Sequence, residues 1–317
     1  MKEERKKISV AIQGVRGSFH EMAAVEYFRE NVVVAVPFDT FSELFNALTK
    51  GQADFGVVAF ENSVAGSILP NYELLRRSRL PVTGEIFLRI KQNLVALPGQ
   101  HLSDIKEIHS HPMAIQQCSQ FIDEMRQQGV KIVEAVDTAL SARIISEERQ
   151  YGAGAIASSC AADIYSLEVL KPEIEDDSMN FTRFLIVAGN RGKIGESTDP
   201  GMPGHHELSL SNLGVRGGAG NSPELTDKAM VCFSLPHKVG SLSQVLSVLA
   251  FYQVSLTRIQ SLPIVGRPWE YMFHIDVIYD DYARYRMALD AIRPLTEGLE
   301  IVAEYRCGLM SFDPSNN

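Results

Sequence analysis

The sequence lacks the features that mark several classes of protein. No stretch approaches the roughly 20 apolar residues that a bilayer-spanning helix needs, and the charged first residues precede only a short apolar run, unlike a secretory signal. The four cysteines lie far apart, at Cys118, Cys160, Cys232 and Cys307. That spacing fits neither a zinc site nor a disulfide framework, and it favours a reducing, cytoplasmic location.

Positive charge is also scarce. The chain has 30 Lys and Arg against 39 Asp and Glu, a formal net charge of −9. Because non-specific binding of nucleic acid depends on neutralising phosphates with lysine and arginine, this composition argues against such a partner. The composition is still compatible with an anionic small-molecule substrate, provided that the binding site itself favours negative charge.

What is present is typical of a soluble globular protein with about two domains: 317 residues, 45% hydrophobic and 22% charged. Over residues 8–189 short apolar runs alternate with amphipathic stretches, which predicts an α/β fold with much parallel sheet. Residues 190–226 are rich in glycine and are predicted to be a linker, with a little structure at 207–210. No cysteine or carboxylate pattern completes a metal site around the His205-His206 pair in this stretch.

Residues 227–309 predict a small α+β domain. Apolar strands are expected at 228–235, 254–264, 269–278 and 299–305, with helices that begin at Ser241 and Tyr282. The apolar residues of the first of these helices recur at helical spacing. The order βαββαβ is that of the ferredoxin-like arrangement, a four-stranded sheet with both helices on one face.

The most informative segment is Asn180-Phe181-Thr182-Arg183-Phe184, which places a hydroxyl beside a guanidinium at the start of an apolar run. In an extended strand, Asn180, Thr182 and Phe184 share one face, and Phe181 and Arg183 share the other. A threonine hydroxyl can donate to a bound oxygen, and an arginine suits carboxylate or phosphate. An ordinary strand entrance with an exposed arginine is the alternative.

Three further segments carry polar residues where predicted strands end. Residues 14–19 form either an anion-binding loop before a helix or a tight turn without a ligand. Residues 61–63 lie where open α/β sheets bind ligands, or they cap the next helix. In residues 110–112, His111 is either a general acid or a structural hydrogen-bonding residue.

Taken together, these segments resemble the prephenate dehydratase family. Residues 14–19, 61–66, 110–118, 155–158 and 180–184 occur in the family's order, ahead of a βαββαβ domain. The asparagine-any-threonine-arginine-phenylalanine run is the most specific of these motifs, and the ordered set is stronger than any member. The resemblance covers residues 8–308 apart from the predicted linker.

The resemblance implies a two-lobed, periplasmic-binding-protein-like α/β catalytic domain at 8–189, a linker at 190–226 and an ACT regulatory domain at 227–309. The implied reaction converts prephenate into phenylpyruvate, water and carbon dioxide in L-phenylalanine biosynthesis, without metal or organic cofactor. Because the first strand begins at Ile8, with no chorismate mutase segment before it, a monofunctional enzyme is expected.

Carried over residue by residue, the resemblance implies catalytic roles for Thr182, Arg183, Glu61 and His111. Thr182 would orient and hydrogen-bond the leaving hydroxyl, with Glu61 or His111 as the proton source, because a free threonine hydroxyl is too weak an acid to act alone. Arg183 would either clamp a substrate carboxylate or form a salt bridge that shapes the cleft. The remaining substrate contacts are expected from Ser18, Asn62, Ser63, Ser110, Gln117, Asn180 and Phe184.

The last domain departs from the family pattern. Dehydratases of this kind usually show glycine-alanine-leucine and glutamate-serine-arginine-proline motifs where phenylalanine binds, and here these read Gly240-Ser241-Leu242 and Gln260-Ser261-Leu262-Pro263. The second change removes both charges. Inhibition by phenylalanine is still expected, at a site formed by His237, Val239, Gly240, Ser241, Leu242, Gln260 and Ser261.

A homodimer or homotetramer is implied by the resemblance, with no nucleic-acid or membrane partner. Arogenate dehydratase, whose substrate has an amino group in place of the side-chain ketone, is the nearer alternative. A non-enzymatic ligand-binding sensor with an ACT domain is the other, although the sequence has no helix-turn-helix or basic arm as its output.

Overall fold

The computed structural model describes residues 5–190 and 226–308, except positions 265 and 268. These residues fall into two compact units, one of residues 5–80 with 85–190 and one of residues 81–84 with 226–308. The predicted structure at 207–210 and the His205-His206 pair lie outside the described residues, as does nearly all of the predicted linker.

The elements up to residue 188 are a mixture of strands and helices, in agreement with the predicted α/β fold. In chain order they are β1 (Lys7–Gln13), α1 (Phe19–Tyr27), β2 (Val32–Phe38), α2 (Phe41–Thr49), β3 (Phe55–Asn62), β4 (Gly66–Ser67), α3 (Leu69–Ser78), β5 (Val82–Arg89), β6 (Asn93–Ala96), β7 (Glu107–Ser110), α4 (Pro112–Gln117), α5 (Ser119–Gln127), β8 (Lys131–Glu134), α6 (Thr138–Glu147), β9 (Ala153–Ala157), α7 (Ser159–Ile164), β10 (Glu168–Lys171) and β11 (Phe181–Ala188).

Two sheets divide the first unit into two lobes. The first lobe has the strand order β2-β1-β3-β11-β5, with β4 beside β3, and the second has the order β10-β6-β9-β7-β8. Within each lobe three strands are parallel, but β11 pairs antiparallel with β3, and β6 pairs antiparallel with β9. The sheets are therefore mixed, because β11 returns from the other lobe rather than through a crossover helix after β3.

The predicted helix from Met113 is two helices, α4 and α5, with a break at Cys118. The Asp176 carboxylate accepts hydrogen bonds from Ser119 N at 2.8 Å and from Gln120 N at 3.0 Å. A carboxylate that satisfies free N–H groups starts a new helix.

The second unit has the predicted βαββαβ order. Its elements are β12 (Lys228–Ser234), α8 (Ser241–Phe251), β13 (Ser255–Pro263), β14 (Tyr271–Ile278), α9 (Tyr282–Ile292) and β15 (Glu297–Tyr305). The strand order β13-β14-β12-β15 is antiparallel throughout. Val231 and Phe233 of the sheet pack in one core with Val245 of α8 and Leu289 of α9. The ferredoxin-like prediction is confirmed, as is the two-lobed α/β architecture of the first unit.

No helix of the described residues is long and apolar enough to cross a bilayer.

Candidate active site

A cavity of about 380 Å³ lies between the two lobes of the first unit. Its size falls within the range of small-molecule sites. From the first lobe and the crossing to the second it is lined by Gln13, Ser18, Phe19, His20, Ala59, Asn62, Ala65, Gly66, Ser67, Ile68, Ile90, Thr182 and Phe184. From the second lobe it is lined by Gln92, His111, Met113, Ala114, Gln117, Val136, Asp137 and Thr138.

Thr182 and Asn62 form the polar centre of the first-lobe wall. The antiparallel register of β11 and β3 places Thr182 directly opposite Asn62. The Asn62 amide, Nδ2, donates to Thr182 Oγ1 at 3.0 Å and to Asn180 Oδ1 at 2.7 Å. Because Asn62 donates to Thr182 Oγ1, the hydroxyl proton of Thr182 is left to donate toward the cavity.

A chain of side-chain amides continues from Asn62 into the second lobe. Gln117 Nε2 donates to Asn62 Oδ1 at 3.4 Å, and Gln92 Nε2 donates to Gln117 Oε1 at 3.3 Å. The oxygen of Asn62 is fixed further by the backbone N–H groups of Val64 and Ala65. These bonds leave Gln92 Oε1 buried without a hydrogen-bond partner among the described residues.

Arg183 points away from the cavity, to the opposite face of β11. Its side chain is 3% exposed, and its Nε donates to Glu85 Oε2 at 2.7 Å. Glu61 lies on the same side, with its Oε2 at 3.8 Å from Arg183 Nη1. Of the two roles predicted for Arg183, the structure therefore contains the salt bridge and not the carboxylate clamp. Neither Arg183 nor Glu61 lines the cavity.

Three residues predicted to contact substrate instead form hydrogen bonds with other protein groups. Ser63 Oγ donates to Met179 O at 2.8 Å and accepts from Phe181 N at 2.9 Å. Asn180 is fully buried beneath Asn62, and Ser110 Oγ donates to Ile156 O inside the second lobe. Ser63 and Ser110 thus bond to backbone groups and Asn180 bonds to the Asn62 side chain, and none of the three is among the residues that line the cavity.

The loop at residues 14–19 meets the second lobe closely. Gly17 has φ +84°, and a Cβ at this position would lie 2.7 Å from Ala161 Cα. Ser158 Oγ donates to Gly17 O at 2.7 Å and accepts from Ala161 N, so it caps α7 and joins the lobes. Only glycine combines this backbone conformation with this approach, and the loop holds Ser18 at the cavity.

Three helices of nine or ten residues begin at the cavity: α1 after Ser18, α3 after Ile68 and α6 after Asp137. The positive end of each helix dipole favours a negatively charged ligand. No lysine or arginine occurs among the described lining residues. Helix termini, rather than side-chain cations, therefore make this cavity suited to carboxylates.

His20 and Asp137 line the cavity, and the sequence reading missed both. His20 Nε2 is buried without a hydrogen-bond partner among the described residues, and burial lowers the pKa of this imidazole to about 4. The rings of Phe41 and Phe184 flank it at 5.5 and 5.0 Å. For Asp137 the sequence offered only an indirect signal: aspartate between a strand and a helix is a common N-cap residue. That pattern predicts the start of a helix and not a place at the cavity.

His111 lies across from Thr182 on the second lobe. Its Nδ1 accepts from Met113 N at 3.2 Å, which caps α4. The imidazole of His111 therefore makes a structural hydrogen bond and also lines the cavity. The structure is thus compatible with both alternatives for His111, the structural residue and the general acid.

Comparisons with known proteins identify the family of this chain. A family model described as prephenate dehydratase matches residues 10–191, which contain every described residue of the cavity. The chain belongs to the prephenate dehydratase family. Enzymes of this family are lyases, and membership supports dehydratase activity in phenylalanine biosynthesis.

One relative in this family is arogenate dehydratase/prephenate dehydratase 2, chloroplastic, of Arabidopsis thaliana. The two are 33% identical over 301 residues, covering 92% of this chain and 70% of the plant protein.

Two solved structures are similar over nearly the whole chain. The prephenate dehydratase of Arthrobacter aurescens, in complex with L-Phe, has 26% identity and a TM-score of 0.73, with 94% of this chain and 90% of that chain covered. A protein described as GqqA, a novel type of quorum quenching acylase, has 27% identity and a TM-score of 0.75, covering 98% and 100%.

The residues predicted to bind phenylalanine all lie in the second unit of this dehydratase family member. Gly240, with φ +84°, precedes α8, and Val239 beside it is fully exposed. Gln260 and Ser261 lie on β13, at an edge of the sheet.

No cluster of three metal-ligating side chains occurs in the part of the chain that the structure describes.

Proposed function

We propose that this protein catalyses the decarboxylating dehydration of prephenate to phenylpyruvate, water and carbon dioxide. The observation that carries the proposal is the Thr182 hydroxyl, fixed by the Asn62 amide on the wall of a cavity in the family-matched segment. The ring carboxylate leaves as carbon dioxide while the ring hydroxyl departs, so the reaction needs a donor at that hydroxyl and a setting that tolerates two carboxylates.

Thr182 supplies the donor at the departing hydroxyl. Asn62 occupies the lone-pair side of Thr182 Oγ1 with its own N–H, so the threonine proton is directed to the substrate. The positive ends of the α1, α3 and α6 dipoles favour the carboxylates, and of the three only α3 begins without a side-chain cap. His20 Nε2 and Gln92 Oε1, both buried and without partners among the described residues, are polar atoms that a bound substrate satisfies.

The assay that tests this proposal compares turnover of prephenate and arogenate by the purified protein. We expect prephenate to be converted, and Thr182→Ala to lower kcat by about 10²–10³-fold, as for loss of one preorganised donor. Thr182→Ser, which keeps the hydroxyl, should retain most of the rate. Turnover of neither substrate, or a fully active Thr182→Ala, contradicts the proposal.

Arogenate is the second candidate substrate, because the Arabidopsis relative is named for both activities. A higher kcat/KM for arogenate than for prephenate assigns the chain to that reaction with the same site.

We propose further that residues 227–309 are an ACT regulatory domain, joined by a linker at 190–226 to a catalytic domain at 8–189. L-Phenylalanine would bind near His237, Val239, Gly240, Ser241 and Leu242, with Gln260 and Ser261 completing the site. The Arthrobacter structure in complex with L-Phe supports this idea. The start of α8 offers a helix N-terminus to the amino acid's carboxylate. Calorimetric titration that gives no heat, together with unchanged turnover, contradicts it.

The assembly that we propose is a homodimer or a homotetramer. Light scattering coupled to size-exclusion chromatography checks it, and a monomer at micromolar concentration contradicts it.

A further inference from the structure

The proposed reaction needs a proton for its leaving hydroxyl, and Thr182 is too weak an acid to be its final source. Glu61, one of the two groups considered on sequence grounds, pairs with Arg183 behind the cavity. Among the described residues that line the cavity, the titratable side chains are His20, His111 and Asp137. The first of these is neutral near pH 7, because burial lowers its pKa to about 4.

Asp137 stands at the junction of the lobes. Its Oδ1 accepts from Leu140 N at 2.8 Å and so caps α6. Its Oδ2 lies against the loop of the first lobe, 2.8 Å from the position that a Cβ on Gly14 would occupy. Gly14, at φ +90°, thus makes room for this carboxyl group.

Burial shifts the protonation equilibrium of Asp137 toward the acid form, relative to an exposed aspartate. Burial raises the pKa of this carboxyl group, while the N–H groups of Ala139 and Leu140 and the nearby His111 oppose the shift. No lysine or arginine lines the cavity among the described residues. A bound dianion raises the proton affinity of Asp137 further, because like charges disfavour a second ionisation.

We propose that Asp137 is the proton source for the leaving hydroxyl, acting beside or through the Thr182 hydroxyl. The bond from the ring to its carboxylate breaks and releases carbon dioxide, and that electron pair completes the aromatic ring. The ring C–O bond breaks, its oxygen takes the proton of Asp137, and water leaves. The Asp137 carboxylate then regains a proton from solvent. This assignment rests on the proposed function.

The test is Asp137→Asn in the full-length protein. Asparagine caps a helix as well as aspartate does, and it has nearly the same shape, but it has no acidic proton. We expect kcat at pH 7 to fall by about 10²–10⁴-fold, the range for loss of a general acid, with little change in KM or in the urea midpoint. We also expect the wild-type kcat to fall as the pH rises through the pKa of Asp137, and this limb to be missing in the variant.

Asp281 is a matched control. It caps α9 in the second unit by accepting from Arg284 N at 3.0 Å, and it is not among the described residues that line the cavity. Asp281→Asn should leave kcat unchanged. If the wild type turns over its substrate and Asp137→Asn stays within threefold of it, or keeps the alkaline limb, the assignment of Asp137 is overturned while the proposed function stands. A wild type inactive on both prephenate and arogenate overturns both.

Discussion

The two faces of β11 contrast sharply, although their residues are neighbours in one short motif. Thr182 and Phe184 face the cavity, where Thr182 accepts a hydrogen bond from Asn62 and Phe184 packs against His20. Arg183, between them, is buried in an ion pair with Glu85. The motif therefore has two separate roles. Thr182 and Phe184 line the cavity, whereas Arg183, the charged residue of the motif, takes part in a buried ion pair on the opposite face of β11.

The largest expected effect tests the structural face. Arg183→Met should lower the free energy of unfolding by about 3–5 kcal/mol, because it removes the 2.7 Å partner of the buried Glu85 carboxylate. Adding Glu85→Leu should recover much of that loss, since apolar residues can replace a buried ion pair. Urea unfolding measures both. If Arg183→Met unfolds like the wild type yet loses turnover, the division between the two faces is incorrect.

The next effect tests the cavity face through Asn62→Asp. A carboxylate cannot donate to Asn180 Oδ1 or Thr182 Oγ1, so the Thr182 proton turns toward residue 62 instead of the substrate. We expect kcat to fall by about 100-fold, equivalent to roughly 2.7 kcal/mol. Asn190→Asp, whose amide donates to Thr49 O on the surface, is the matched control. Equal kcat in the two variants would contradict the role of Asn62.

A third experiment uses pH to examine His20, also on the cavity face. Its folded pKa of about 4 lies below the ordinary 6.5, so the unfolded chain binds a proton between these values that the folded chain does not. Stability should therefore fall as the pH is lowered from 7.5 to 5, by about 2 kcal/mol from this group. His20→Phe, which keeps a ring beside Phe41 and Phe184, should lose that part of the decline in urea titrations. Parallel declines would show that His20 is not buried as described.

The smallest expected effect concerns Ser63, an exposed residue next to Asn62 in the chain. Ser63→Ala removes the bonds to Met179 O and Phe181 N, and it should destabilise the fold by about 1 kcal/mol. Because the hydroxyl does not line the cavity, KM and kcat should stay within twofold. A marked rise in KM would instead place Ser63 in contact with substrate.

Several elements could be predicted from the sequence because their causes are local. Apolar periodicity and turn residues predicted the α/β character of the first unit and the whole βαββαβ order of the second unit. Strand alternation separated Thr182 from Arg183. The break at Cys118 was missed, because the carboxylate that starts α5 comes from Asp176, far along the chain.

For the candidate site, the sequence by itself determined that Thr182 and Phe184 share a face, since strand periodicity is a property of the backbone. Only the tertiary structure decided which polar residues reach the cavity. It placed Arg183 in a buried ion pair with Glu85, with the partly exposed Glu61 3.8 Å from the same guanidinium. It gave Ser63, Ser110 and Asn180 hydrogen bonds to other protein groups, and it brought His20 and Asp137 to the cavity lining. The physical reason is that the charge state and partners of a side chain depend on burial and on residues distant in sequence, which a local pattern does not contain.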